Sequence, residues 1–297
     1  MTSPTSSREK EAEFPAAGLA ACAAGLAARG SLEASSPRAE GAQAIGALLP
    51  PGTRVYVPHF PKQELAASLP ALEALRAAGL QPVPHIAARR VSSRAEVESF
   101  LRKAAVGRVL VIGGDEPTPL GPYRQAADLM REGGLVATGV REVGISGYPE
   151  GHPLIDRDEL ERAFDEKLSL ASKQGLAVHV VTQFSFSGER IAEYCADLAR
   201  RAPGIPVRVG LAGPTEPVAL LRFARRCGVG ASMRALRAQG LGAIKLMTHV
   251  NPDEELGAVA RYCLGQRECN VAGVHLFSFG GAERSAAWLR ETAARGA

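Results

Sequence analysis

Cysteine is scarce in this sequence: five in 297 residues, at Cys22, Cys195, Cys227, Cys263 and Cys269. They are odd in number, scattered and without a C-x-x-C pair, a pattern of reduced thiols in a cytoplasmic protein that argues against structural zinc. No histidine or carboxylate pair has metal-ligand spacing either, so no metal is expected. Long apolar runs are also missing. Ala16–Ala28 is rich in alanine, but it follows an acidic patch (Glu9, Glu11, Glu13), lacks bulky side chains and is too short to cross a bilayer. It reads as a packing helix, and no membrane association is expected. Thirty-five basic and 31 acidic residues leave a net charge of +4 with no dense basic block. Nucleic acid is therefore not an expected partner, and an anionic small ligand accounts for the mild excess more economically. There is no P-loop and no H-E-x-x-H. Gly240-Leu241-Gly242 follows a helix, the wrong context for a dinucleotide-binding fingerprint.

What remains is ordinary globular material, 46% hydrophobic and 22% charged. Residues 1–15 are polar and expected to be disordered, with a single domain over 16–297. Short apolar runs end at Ser35, Val57, Ile86, Ile112, Ser146, Thr182, Gly210 and Phe277. Helical stretches alternate with them, among them Arg38–Leu49, Glu64–Ala78, Tyr123–Glu132, Arg157–Lys173, Glu189–Arg201, Val218–Cys227, Met233–Gln239, Pro252–Leu264 and Arg284–Ala294. A further helix starts at Ser93, where S-x-x-E forms a capping box with Glu96. Eight strands alternating with helices predict an α/β fold, a (β/α)8 TIM barrel with an extra N-terminal helix. An open doubly wound sheet is the alternative.

In such a barrel the working face lies where strands end. The strand ends hold Glu33, His59, His85, Asp115, Tyr148 with Glu150 and His152, Gln183, and His275 with Phe277. Four of the six histidines (59, 85, 152, 275) lie at or near strand ends; His179 and His249 do not. The turn V-G-I-S-G-Y-P-E-G-H-P, 143–153, places an aromatic hydroxyl, a carboxylate and an imidazole between glycines and prolines that break regular structure. Gly113-Gly114 before Asp115 permits close approach of a ligand to backbone amides. Each position also has a plain structural reading: His85 and His275 as core histidines, Asp115 as a turn or cap residue, Gln183 as a satisfied amide.

Six stretches, in order from about residue 30 to 290, resemble methylenetetrahydrofolate reductases: S-L-E-A-S-S-P-R (31–38), P-H (84–85), G-G-D (113–115), G-Y-P-E-G-H-P (147–153), V-T-Q-F-S-F (181–186) and V-H-L-F-S-F (274–279). The resemblance implies a flavin-bearing barrel, with FAD as cofactor and NADH or NADPH as reductant of 5,10-methylenetetrahydrofolate. It implies Glu33 as proton donor and Asp115 as the carboxylate that tunes flavin and folate electrostatics. FAD would be held by His59, His85, Gly114, Asp115, Tyr148, His152 and Lys167, and the folate or nicotinamide by Gln183, Phe223 and Phe277. Gly113 stands where the family has arginine, Phe277 where it has tyrosine, and Lys167 is the nearest match to its helix lysine. A short form without a regulatory domain is expected, and assembly as a homo-oligomer is left open. Two other readings stay open: a tetrahydrofolate-dependent one-carbon transferase or demethylation protein without net reduction, and a flavin-free, non-catalytic barrel.

Overall fold

A computed structural model describes residues 14–215 and 251–296. Most of the expected disordered tail, the two helices expected at 218–227 and 233–239, Phe223, Cys227 and His249 lie outside them.

Eight strands form a closed parallel barrel in sequence order: β1 (Ser31–Glu33), β2 (Arg54–Val57), β3 (Gln81–Ala87), β4 (Arg108–Ile112), β5 (Glu142–Gly147), β6 (Ala177–Thr182), β7 (Val207–Ala212) and β8 (Val271–Phe277). Pairing of Ser31 with His275 and Leu32 with Leu276 joins β8 to β1 and closes the ring. The helices are α1 (Ala16–Ala28), α2 (Ala39–Leu48), α3 (Leu69–Ala77), α4 (Arg94–Ala104), α5 (Ala126–Glu132), α6 (Arg157–Lys173), α7 (Gly188–Arg201), α8 (Asp253–Gly265) and α9 (Ala282–Ala294). The chain is a (β/α)8 barrel, and α1 is the extra helix, packed against α8, α9 and β8.

Strand alternation sends every second side chain outward under the helices, where one continuous apolar core forms. The opposite set fills the barrel. Its apolar middle is Tyr56, Val83, Leu110 and Val181, with Ile112 against them. At the N-terminal ends of the strands a charged layer closes the base. Glu142 accepts from Arg54 Nη1 and Nη2 at 2.7 and 3.1 Å and from Arg108, and His179 Nδ1 lies 2.7 Å from its Oε1. Tyr56 Oη then bonds His179 Nε2 at 2.8 Å, tying the layer to the middle of the barrel. Gly144 makes room for this: a Cβ there would lie 2.8 Å from His179 Nε2.

Some boundaries differ from the sequence reading. Helix α3 begins at Leu69, because Pro70 fits only a first turn; Leu65–Ser68 forms a 3-10 turn before it. Helix α5 begins at Ala126, not Tyr123, because Gln125 and Asp128 form a capping box there. At Ser93 the hydroxyl accepts from Glu96 N at 3.2 Å, while the Glu96 carboxylate takes Ser92 N and Oγ in place of Ser93 N. Strand β8 begins three residues before Val274, since Gly273 lets β8 run against the carbonyl of Arg29 where a Cβ would stand 2.5 Å away.

Candidate functional site

The C-terminal ends of the strands form a mouth in which two described titratable residues, Glu33 and His85, lie side by side. Glu33 ends β1 and His85 lies near the end of β3; β2 between them brings His85 Nε2 within 3.7 Å of Glu33 Oε1. That is too long for a hydrogen bond, and His85 Nε2 is buried without a partner. Loss of water around Glu33 pushes its carboxyl up to about 8. The same desolvation, aided by His59 and Arg90, pushes His85 down to about 3. At neutral pH the pair is a protonated acid beside a neutral imidazole, not an ion pair. A carboxyl of this kind can give a proton, as a general acid must.

Beside it, at the ends of β6 and β8, lies an aromatic wall. Phe184 stands 5.3 Å from both Phe277 and Phe279 and 5.7 Å from Phe186, and Phe277 stacks on Phe279 at 6.5 Å. Four of the nine phenylalanines of the chain gather here, Phe184 and Phe186 buried and Phe277 and Phe279 half-buried over them. Gly210 leaves the space into which the Phe277 ring reaches. Gln183 is half-buried, with its Oε1 accepting from Phe184 N at 3.1 Å.

A cleft of about 1260 Å³ opens between the loops after β4 and β5 and helices α6 and α7. Its lining includes Gly114, Tyr148, His152 and Lys167. Tyr148 and His152 pack edge to face with ring centres 5.4 Å apart, and His152 Nδ1 accepts from Leu154 N at 3.2 Å. Gly114 has φ +91, a conformation that suits glycine. Lys167 is only 9% exposed in this wall, and burial lowers its pKa to about 8 despite Glu166. A buried cation of this kind gains from an anion.

The expected site residues thus fall into two neighbouring groups, the mouth (Glu33, His85, Gln183, Phe277) and the cleft (Gly114, Tyr148, His152, Lys167). Two others have different surroundings. His59 is buried with both nitrogens engaged by backbone: Nδ1 faces Ala87 N at 3.4 Å and Nε2 faces Gln63 O at 3.1 Å. Asp115 is 89% exposed, 3.7 Å from Arg90. Arg90, absent from the sequence reading, organises this corner: it bonds the His59 carbonyl and holds Glu116 at 2.5 Å. Arg89 beside it donates to the carbonyls of Glu116, Pro117 and Arg124. The paired arginines one residue beyond β3 were the available signal. His275 is fully buried, its Nδ1 3.0 Å from Ser31 Oγ. Among the described residues, no three histidine, cysteine or acidic side chains are placed to hold a metal ion, and no helix is long and apolar enough to cross a membrane.

No family model matches the sequence. Among solved structures, an uncharacterised protein from Clostridium thermocellum that binds two copies of 5-methyl-5,6,7,8-tetrahydrofolic acid is similar with a TM-score of 0.53 and 11% identity, over 88% of this chain and 93% of that one. Dihydropteroate synthase from Thermus thermophilus gives a TM-score of 0.44 and 18% identity, over 88% and 92%. The likeness is one of fold.

Proposed function

We propose that the barrel mouth binds a reduced folate and the adjoining cleft binds FAD, and that the protein is an FAD-dependent reductase of 5,10-methylenetetrahydrofolate using NADH or NADPH. The observation that carries this reading is the Glu33–His85 pair: a carboxyl held up at about 8 in the mouth of a (β/α)8 barrel. The tetrahydrofolate bound by the Clostridium barrel supports the folate half of the reading.

The residues present fit a flavin dinucleotide. The cleft exceeds the roughly 300–1,000 Å³ of ordinary small-ligand pockets. Within the cleft Lys167 offers a desolvated cation to a pyrophosphate and Gly114 a backbone without a side chain in the way, while the half-buried Phe277 and Phe279 lie outside it, at the mouth. A bound flavin supplies the two-electron carrier that the side chains lack.

The chain contributes the rest. Glu33 keeps its proton through neutral pH and delivers it to a basic nitrogen of the substrate, a contribution of about 10²–10⁴ in rate for a well-placed acid. His85, neutral beside it, adds no positive charge that would strip Glu33 of its proton. Gln183 and Phe277 border the same opening and orient the planar substrate, while the aromatic wall excludes water.

The test is spectroscopic. Protein mixed with FAD and desalted should retain a yellow chromophore that NADH or NADPH bleaches without oxygen. A colourless protein that refuses FAD overturns the reductase reading. Gly113, which presents no side chain where the resembling family has arginine, favours the second reading, a flavin-free barrel that binds tetrahydrofolate for one-carbon transfer. Tetrahydrofolate binding to colourless protein would select it.

A further inference from the structure

At the end of the barrel opposite the mouth, four of the five cysteines converge from α1 (Cys22), α7 (Cys195), α8 (Cys263) and the turn before β8 (Cys269). Two are in contact: Cys263 Sγ and Cys269 Sγ lie 3.0 Å apart as free thiols. Both are half-buried, whereas Cys195 is fully buried. Cys269 lines a cleft of about 420 Å³ whose other walls are Ala199, Pro206, Val271 and their neighbours. Asn270 lines the same cleft, and its Oδ1 and Nδ2 are both buried without a partner.

We propose that Cys269 and Cys263 form a dithiol–disulfide site, in which a hydroperoxide entering the small cleft oxidises Cys269 and Cys263 then closes the disulfide. The direction follows from the surroundings. The contact with Cys263 favours the thiolate at Cys269, helped by a backbone hydrogen bond at Val271 and the charge of Arg29, while the same contact raises Cys263. Burial raises Cys22 and Cys195, which makes both poor nucleophiles. In the first step the Cys269 sulfur attacks the terminal peroxide oxygen; an S–O bond forms, the O–O bond breaks, and the leaving alkoxide or hydroxide takes a proton. Cys269 is oxidised to the sulfenic acid and the hydroperoxide is reduced to an alcohol or water. In the second, the Cys263 sulfur attacks Cys269, the S–S bond forms, the S–O bond breaks, and water leaves with the Cys263 proton. A small thiol reverses the disulfide by two exchange steps. The sulfurs are already in contact, so closure asks for small side-chain rotations.

Full-length protein treated with stoichiometric hydrogen peroxide, alkylated and digested with trypsin without reductant should yield peptides 262–267 and 268–284 joined through Cys263 and Cys269. Cys22, Cys195 and Cys227 should remain alkylated. Cys263→Ser should stop at a sulfenic acid on Cys269 that dimedone captures, and Cys269→Ser should give neither product. In untreated protein at neutral pH, Cys269 should alkylate at least ~10-fold faster than Cys22. Recovery of both thiols unchanged after peroxide, a cross-link to Cys22 in place of Cys263, or dimedone capture spread over all cysteines would overturn the proposal.

Discussion

Among the described residues Glu33 is a carboxyl that burial pushes well up, and that position has a measurable cost. Unfolded, the carboxyl ionises near 4.5; folded, it holds its proton up to about 8. The folded state therefore binds one proton more across that interval, and this group lowers stability as pH rises from 4.5 to 8. Glu33→Gln removes the charge while keeping the shape. The variant should match the parent in stability at a pH below the unfolded value and exceed it in mild alkali by on the order of 2–4 kcal/mol in urea denaturation, since each tenfold change in an ionisation constant is worth ~1.4 kcal/mol. Equal stability at both pH values would mean that the mouth does not desolvate the carboxyl. Lys167 gives a second test with two readouts of opposite sign. Its folded pKa, lowered to about 8, means that burying the charge costs stability at neutral pH. Lys167→Met should stabilise the free protein by about 1–3 kcal/mol, while weakening the binding of FAD by roughly tenfold, a loss of about 1.4 kcal/mol. Loss of stability together with unchanged affinity would mark the lysine as structural.

The elements divide the barrel into a working end and a closing end. The base is a network in which burial alone would raise Glu142, but contacts with His179, Arg108 and Arg54 overcome this and hold it well below the usual carboxylate range. Removing the charge leaves the arginines without their counter-ion, which typically costs about 3–5 kcal/mol. Glu142→Gln should shift the urea midpoint accordingly, yet leave ligand affinity at the opposite end unchanged; a loss under ~1 kcal/mol would reduce the network to surface charge. This layer was not legible in the sequence. Arg54, Arg108 and Glu142 open three different strands and His179 lies inside a fourth, and only the parallel register brings them level. The strands themselves were legible, because parallel strands buried on both faces read as short β-branched runs: V-L-V-I at 109–112 and V-H-V-V at 178–181 are examples. Boundaries slipped where one residue changed the local geometry, at Pro70, at Gln125 and at Gly273.

At the scale of the whole molecule, closure of the ring makes the site. Glu33 and His85 are separated by two successive βα units, yet parallel pairing of β1 and β3 with β2 between them places the two side chains 3.7 Å apart. Sequence marked both residues as strand ends but could not show that they face each other, nor that desolvation drives their pKa values in opposite directions. Sequence placed Tyr148 and His152 in one turn and Lys167 on the helix after it, and the fold adds the walls of α6 and α7 that bring all three into the lining of one cleft. Asp115 shows the reverse: its strand-end position matched, but its side chain points to solvent and Arg90, a consequence of the turn after Gly114.

The central claim is that Glu33 is the proton donor for reduction of a folate in the barrel mouth, and the most direct measurement is the pair of half-reactions under anaerobic stopped flow. Protein reconstituted with FAD and reduced by NADH or NADPH should recover its oxidised spectrum on mixing with 5,10-methylenetetrahydrofolate, with a rate that falls as pH rises through about 8. Glu33→Gln should reduce at nearly the parental rate but reoxidise with folate about 10²–10⁴-fold more slowly and without that pH limb. Equal loss of both half-reactions, or reoxidation by folate at the parental rate, would contradict it.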